Sequence, residues 1–155
     1  MAVTLAACQP SHPEKQSLED GWTVEQLGGS EAAIAGPVTA SVPGSIHLDL
    51  LGNGLIDDPF FGTNEYDLQW IGETDWIYAR TFILPEEALE KDRVLLRFHG
   101  LDTVADVTVN GKRAGSADNM FRTWEFDVKG LVKAGENHVE VHFRSAVKRI
   151  QELAK

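Results

Sequence analysis

The sequence predicts an all-β domain, a jelly roll or β-sandwich with one or two short helices, and three observations carry that expectation. Apolar and polar residues alternate with period two along most of the chain beyond the first sixteen residues. The alternating segments recur at regular spacing and are separated by glycine-bearing turns. Between two of them stands Asn110-Gly111, the strongest short-range hairpin signal a sequence carries. A chain of 155 residues fits one such domain, large enough to bury roughly two thirds of its unfolded surface without metal or disulfide staples. Residues 1–16 read as a flexible polar tail and 17–155 as the domain.

In chain order, residues 22–27 (WTVEQL) form the first expected strand. Residues 75–84 (DWIYARTFIL) are β-branched and aromatic on both faces, which predicts a central strand covered on two sides. Residues 92–100 follow. In 103–115, Ala105, Val107 and Val109 alternate with Asp106, Thr108 and Asn110 before the turn. Residues 121–128 and 137–143 supply two more strands; in the last, Val139, Val141 and Phe143 face inward and His138, Glu140 and His142 outward. Residues 45–54 predict a short helix capped by Ser45 and ended near Gly52, with Leu48 and Leu51 sharing its apolar face. Residues 145–155 predict a second, with Val147, Ile150 and Leu153 as its stripe.

Residues 42–65 (VPGSIHLDLLGNGLIDDPFFGTNE) hold four glycines and no clear period. Irregular stretches longer than about 12–15 residues in a compact domain serve a site or are disordered, and Leu50, Leu51, Ile56, Phe60 and Phe61 are too apolar for disorder. An ordered functional segment is therefore expected here.

The formal net charge of −10 disfavours nucleic acid, which needs a basic face. No stretch approaches the ~20 apolar residues that span a bilayer. Cys8 is the only cysteine, so no internal disulfide forms. Its context, Leu5-Ala6-Ala7-Cys8 followed by a polar tail, resembles the end of a bacterial lipoprotein signal without its basic start. Cys8 is accordingly a lipidation candidate, with a periplasmic or cell-envelope location and a lipid anchor as its corollaries; a free thiol in a frayed terminus is the plain alternative.

Three groups invite chemistry. His138 and His142 are four apart, but on a strand they share a solvent face with no third ligand, and zinc needs at least three; neither metal nor cofactor is expected. Asn64-Glu65 is the pair in which many glycosidases place the general acid, yet a retaining enzyme needs a second carboxylate ~5–5.5 Å away. Nothing selects one among Asp57, Asp58, Glu73 and Asp75, and a loop is an unusual place for it. Of the aromatics Trp70, Trp76, Tyr78, Phe121 and Trp124, most are expected in the core, with Trp70 the exception that could meet a sugar ring.

Longer stretches are more specific. V-P-G at 42–44, D-P-F at 58–60, Asn64-Glu65 followed by Trp70, D-W-x-Y at 75–78, G-L-D-T at 100–103, V-N-G at 109–111, D-N-M-F at 118–121 and S-A-V at 145–147 together resemble the first domain of β-mannosidases of glycoside hydrolase family 2. The resemblance implies a galactose-binding-like jelly roll that precedes an immunoglobulin-like domain and a catalytic (β/α)8 barrel. It also implies that the catalytic glutamates lie in that barrel and none in this chain, and that closing strands follow Lys155. An uncovered edge would then make 138–143 and 75–84 the segments most able to recruit other chains. By the same resemblance, the 60–70 stretch approaches a β-mannoside in the barrel mouth, with Asn64 as polar contact, Glu65 beside it and Trp70 as aromatic wall. The competing roles are a stand-alone carbohydrate-binding module and a purely structural docking domain.

Overall fold

The computed structural model describes residues 15–28 and 34–154. Cys8, with most of the expected tail, lies outside the described residues.

Eight strands form: β1 (Trp22–Leu27), β2 (Val38–Ala40), β3 (Asp75–Leu84), β4 (Leu95–Phe98), β5 (Val104–Val109), β6 (Lys112–Ala117), β7 (Trp124–Asp127) and β8 (Gly135–Arg144). They make a six-stranded antiparallel sheet in the order β2-β1-β3-β8-β5-β6, faced by a two-stranded sheet of β4 and β7. The all-β sandwich expectation holds. Inward residues of the large sheet, Trp22, Phe82, Leu84, Val107, Val139 and Val141, meet Leu96 and Val128 in the main core, as the period of two requires.

The hairpin between β5 and β6 turns where expected. Asn110 (φ 51°) and Gly111 (φ 74°) both adopt the left-handed conformation of a tight hairpin turn. Asn110 Oδ1 accepts from His138 N at 2.9 Å, and its Nδ2 donates to Asn137 Oδ1 at 2.9 Å, which ties the turn to β8. Asn137 is buried and fully bonded: its Oδ1 also accepts from Lys133 N, and its Nδ2 donates to the Lys133 and Gly135 carbonyls. Gly115 on β6 admits the Phe126 ring so closely that a Cβ there would stand 2.2 Å from it.

Several expectations change. β3 is central, but only one of its faces is fully covered: Trp76, Phe82 and Leu84 are buried, whereas Ile83 is 59% exposed. β3 and β8 each pair on both sides, so neither is a free edge that could recruit another chain. The edges of the large sheet are β2, three residues long, and β6, which carries Lys112 and Arg113; short and basic edges discourage strand addition, whereas β4 and β7 pair only with each other among the described residues.

Helix α1 (Ile46–Gly52) is capped by Ser45, whose Oγ accepts from Leu48 N. Its buried face is not the expected one. Leu48 is 62% exposed, and Asp49 and Leu50 are buried instead. Ile46 and Leu50 reach a second apolar cluster with Val24, Ile71 and Trp76. Asp49 is drawn in because Oδ1 accepts from Ser41 N at 2.8 Å and Oδ2 from Tyr78 OH at 2.7 Å, which offsets the desolvation of a buried carboxylate. Burial first, and then the Asp49 bond, push the Tyr78 hydroxyl well above its usual range.

Helix α3 (Ala146–Leu153) is capped by Ser145, but Val147 and Ile150 face outward at 38% and 68% exposure. Ser145 fixes its start: N donates to Asp75 Oδ1 and Oγ to the Gly72 carbonyl.

Candidate functional site

The 55–74 segment is ordered as a series of turns, of which 64–67 and 69–71 are helical. Asn64 and Glu65 open a one-turn helix α2 (Asn64–Asp67), and Trp70 lies in the 3-10 turn Gln69–Ile71 that follows. The turns are locked locally. Asp58 Oδ1 accepts from Phe60 N at 2.9 Å, Asn64 Nδ2 donates to the Asp58 carbonyl at 2.9 Å, and Gln69 Nε2 to the Glu65 carbonyl at 2.8 Å. Thr74 Oγ1 and Trp76 Nε1 then bond the Trp70 and Ile71 carbonyls. Ile71 is the anchor, only 1% exposed in the second cluster.

Of the residues singled out in the sequence, Asn64 is half-buried and Glu65 exposed. Part of Asn64 is spent on the brace to Asp58. Trp70 is half-buried and packs against Trp76, ring centroids 6.1 Å apart at 46°, so one of its faces belongs to the core. The aromatics that stand in solvent are others: Phe60, Phe61 and Tyr66 on this segment and Phe121 on the 118–123 loop. The letters D-P-F and D-N-M-F marked these places, but nothing in their pattern distinguished an outward ring from a core one.

Among the described residues, two open recesses measure about 650 and about 190 Å³. The larger is lined by Arg97, Arg122, Thr123, Trp124, Glu125 and Phe126, the smaller by residues of β2 and α1 around Asp49. Neither includes Asn64, Glu65 or Trp70. The rim of the larger one is occupied by its own contacts: Arg122 sits 4.3 Å over the Trp124 ring, Phe126 lies nearly parallel to that ring at 6.4 Å, and Arg97 pairs with Glu125 at 2.5 Å.

Among the described residues no three His, Cys, Asp or Glu side chains converge. His138 Nε2 stands 3.2 Å from Glu140, and His142 Nε2 3.6 Å from Asp75 Oδ2. On the same outer face, Asp106 accepts from Ser116 Oγ at 2.5 Å and pairs with Arg144 and Arg113. The Ser116 bond, with the two arginines, holds its carboxyl below the usual carboxylate range.

The arrangement can present groups to a partner but does not enclose a substrate. Residues 22–155 match the family described as "Glycosyl hydrolase 2 galactose-binding domain-like". β-Mannosidase A of Emericella nidulans is 41% identical over 141 residues, which cover 89% of this chain and 14% of that protein. The β-mannosidase of Mus musculus is 36% identical over 147 residues, covering 95% and 16%. The crystal structure of a β-D-mannosidase from Dictyoglomus thermophilum superimposes with a TM-score of 0.81 at 42% identity, over 88% of this chain and 16% of that one. The chain thus spans about a sixth or less of the length of these relatives.

Proposed function

This chain belongs to the glycosyl hydrolase 2 galactose-binding domain-like family, and from that premise we propose that it is the non-catalytic N-terminal domain of a retaining exo-β-mannosidase. In this role it helps form the pocket that receives a terminal β-D-mannose residue. The observation that carries the reading is the match to β-mannosidases over nearly all of this chain but only 14–16% of theirs.

The chemistry is consistent with that division of labour. Retaining hydrolysis needs two carboxyl groups about 5–5.5 Å apart on either side of the scissile bond, and the one carboxylate of the Asn64-Glu65 pair is solvent-exposed on a single helical turn. The contribution left to the domain is positioning. Asn64, held by Asp58, offers an amide to a sugar hydroxyl, and Trp70, backed by Trp76, offers a ring edge as a wall. A (β/α)8 barrel, following an immunoglobulin-like domain, would supply the glutamates. The lipid anchor and cell-envelope location expected from Leu5–Cys8 rest on those letters alone.

One experiment tests the reading. Release of nitrophenol from an aryl β-mannoside is measured for the 155-residue chain, for the natural polypeptide that carries it, and for that polypeptide with Asn64→Ala. The expected result is no turnover by the chain, turnover by the polypeptide, and a roughly tenfold loss of kcat/KM in the variant, equivalent to about 1.4 kcal/mol. Turnover by the isolated chain that disappears in Glu65→Gln would overturn it.

A further inference from the structure

We infer that His142, Asp75 and Ser145 form a proton-operated latch: the charged imidazole engages the carboxylate that holds the start of α3 to the end of the 69–74 turns. The junction therefore tightens as the medium becomes more acid.

One buried residue ties the junction. Ser145 N donates to Asp75 Oδ1 at 2.8 Å, its Oγ donates to the Gly72 carbonyl at 2.7 Å, and the same Oγ accepts from Lys148 N at 3.1 Å. Ser145 is buried, so little water competes for these bonds. Three elements meet there: β3 through Asp75, the 69–74 turns through Gly72, and the first turn of α3 through Lys148. β8 ends at Arg144 and runs directly into it.

Asp75 is engaged on one side only. Its Oδ2 faces His142 Nε2 at 3.6 Å, too far for a hydrogen bond. That Nε2 is a buried nitrogen with no hydrogen-bond partner among the described residues. A neutral ring leaves it unmet, at the cost of any buried polar group. A charged ring makes the two groups an ion pair, and an approach of roughly 0.7 Å completes a charge-assisted hydrogen bond.

The surrounding charges single out Asp75 as the partner. On the outer face of β8 the ring is flanked by Glu140 and Arg144. Glu140 accepts from Thr108 Oγ1 and stands 3.2 Å from His138. β5 places Asp106 opposite His142, but Asp106 is matched by Arg144 and by Arg113 of β6. On β3 the residue opposite is Ile77, which carries no charge, and one strand further β1 places Glu25. In the first turn of α3, Arg149 pairs with Glu152, which leaves Lys148 as the other charge there. Asp75, at 3.6 Å and paired with no lysine or arginine among the described residues, is the carboxylate that the ring's charge reaches.

The direction follows from the chemistry of the two groups. Imidazole ordinarily changes charge between pH 5 and 8, whereas carboxylates ordinarily keep theirs across that range. The ion pair is present in acid and lost as the ring sheds its proton. Trp70 lies in the 3-10 turn just before Gly72, so the wall offered to the mannoside is held by the same junction; this consequence rests on the function proposed above, and the latch itself does not.

The test reads backbone hydrogen exchange at Glu73, Thr74, Ser145 and Lys148 in the natural polypeptide between about pH 5 and about pH 8, corrected for the intrinsic pH dependence of exchange. Protection at these amides is expected to be roughly threefold greater at the acid end, the scale of a partly exposed ion pair. His142→Gln should abolish the difference. Asp75→Asn, whose amide oxygen can still accept from Ser145 N, should abolish it too while keeping the protection seen at the alkaline end, and it keeps the test decisive should His142→Gln fail to fold. His138→Gln, on the same face but beside Glu140, should leave the difference intact. A difference that survives in Asp75→Asn, one that disappears in His138→Gln, or protection that grows with pH would overturn the proposal. Turnover of an aryl β-mannoside by the same sample reports the proposed function separately: its absence beside the expected exchange would sink that function and leave the latch standing, and turnover without the expected exchange would do the reverse.

Discussion

Val107, Val139 and Val141 on the central strands are at most 2% exposed, whereas Phe60, Phe61 and Tyr66 on the 55–74 segment are 96%, 75% and 71% exposed. Both regions are rich in apolar residues and both are ordered, but order has different sources in them. In the sheet it comes from burial, worth roughly 25 cal/mol per Å² of apolar surface removed from water. In the segment it comes largely from short-range hydrogen bonds, Asp58 to Phe60 and Asn64 to Asp58, hung on the fully buried Ile71 and the half-buried Ile56, Leu68 and Trp70 beside it in the second cluster. The lesson is that apolar side chains held in place without being buried are available for something outside the domain.

The sharpest way to break the comparison is to remove one buried and one exposed apolar side chain from the isolated chain. Val139 on β8 has no exposure, and Val139→Ala should cost about 2 kcal/mol by lost transfer energy and cavity formation. Phe60→Ala should stay within about 0.5 kcal/mol. Urea unfolding followed by tryptophan fluorescence measures both; equal losses would erase the distinction between the regions.

A smaller effect is expected where the second cluster depends on a polar bond. Tyr78→Phe leaves the buried Asp49 with Ser41 N as its remaining described partner, and an unmet buried acceptor costs about 1–2 kcal/mol. Because α1 precedes the 55–74 segment, the same variant should speed exchange at Leu55 and beyond, while the β5–β8 pairing keeps its protection. Uniform loss of protection would show that segment and sheet unfold as one unit.

The smallest expected effect lies on the outer face of the sheet. The folded-state pKa of Asp106 is depressed by Ser116 and its arginines, so its contribution is present above the ordinary carboxylate pKa and is lost as pH falls through the lower folded value. Asp106→Asn should therefore lower stability at neutral pH and leave it unchanged at the acid end, where the native carboxyl is protonated as well. Thermal melting from pH 7 to pH 2 reads the convergence of the two curves. A gap that is constant with pH would assign the role of Asp106 to shape alone.

The strands were legible in the letters because alternation is a local property. β1 and β3 coincide with the stretches read from their pattern, and the Asn110-Gly111 turn needed only its own two residues. What stayed hidden depended on partners far away. β2 is three residues, too short to show a period. The buried face of α1 is set by Tyr78, 29 positions from Asp49, and no helical periodicity of α1 itself contains that bond. The candidate site was located by quoted motifs, but the brace on Asn64 ends on a backbone carbonyl, which leaves no mark on side-chain chemistry. Likewise the outward turn of Phe121 follows from Asn119, a local signal that was available and that apolar character concealed.

The strand order β2-β1-β3-β8-β5-β6 also fixes a sequence of events in time. Trp76 must find Phe143, and Leu84 must find Gly135, so β3 completes its pairing only with a segment synthesised well after it. Contacts this far apart along a chain form slowly. A nascent chain halted before Gly135 carries β3 with one side unpaired, in the form most prone to aggregate. The interval between translation of β3 and release of β8 is where a chaperone would act on this protein.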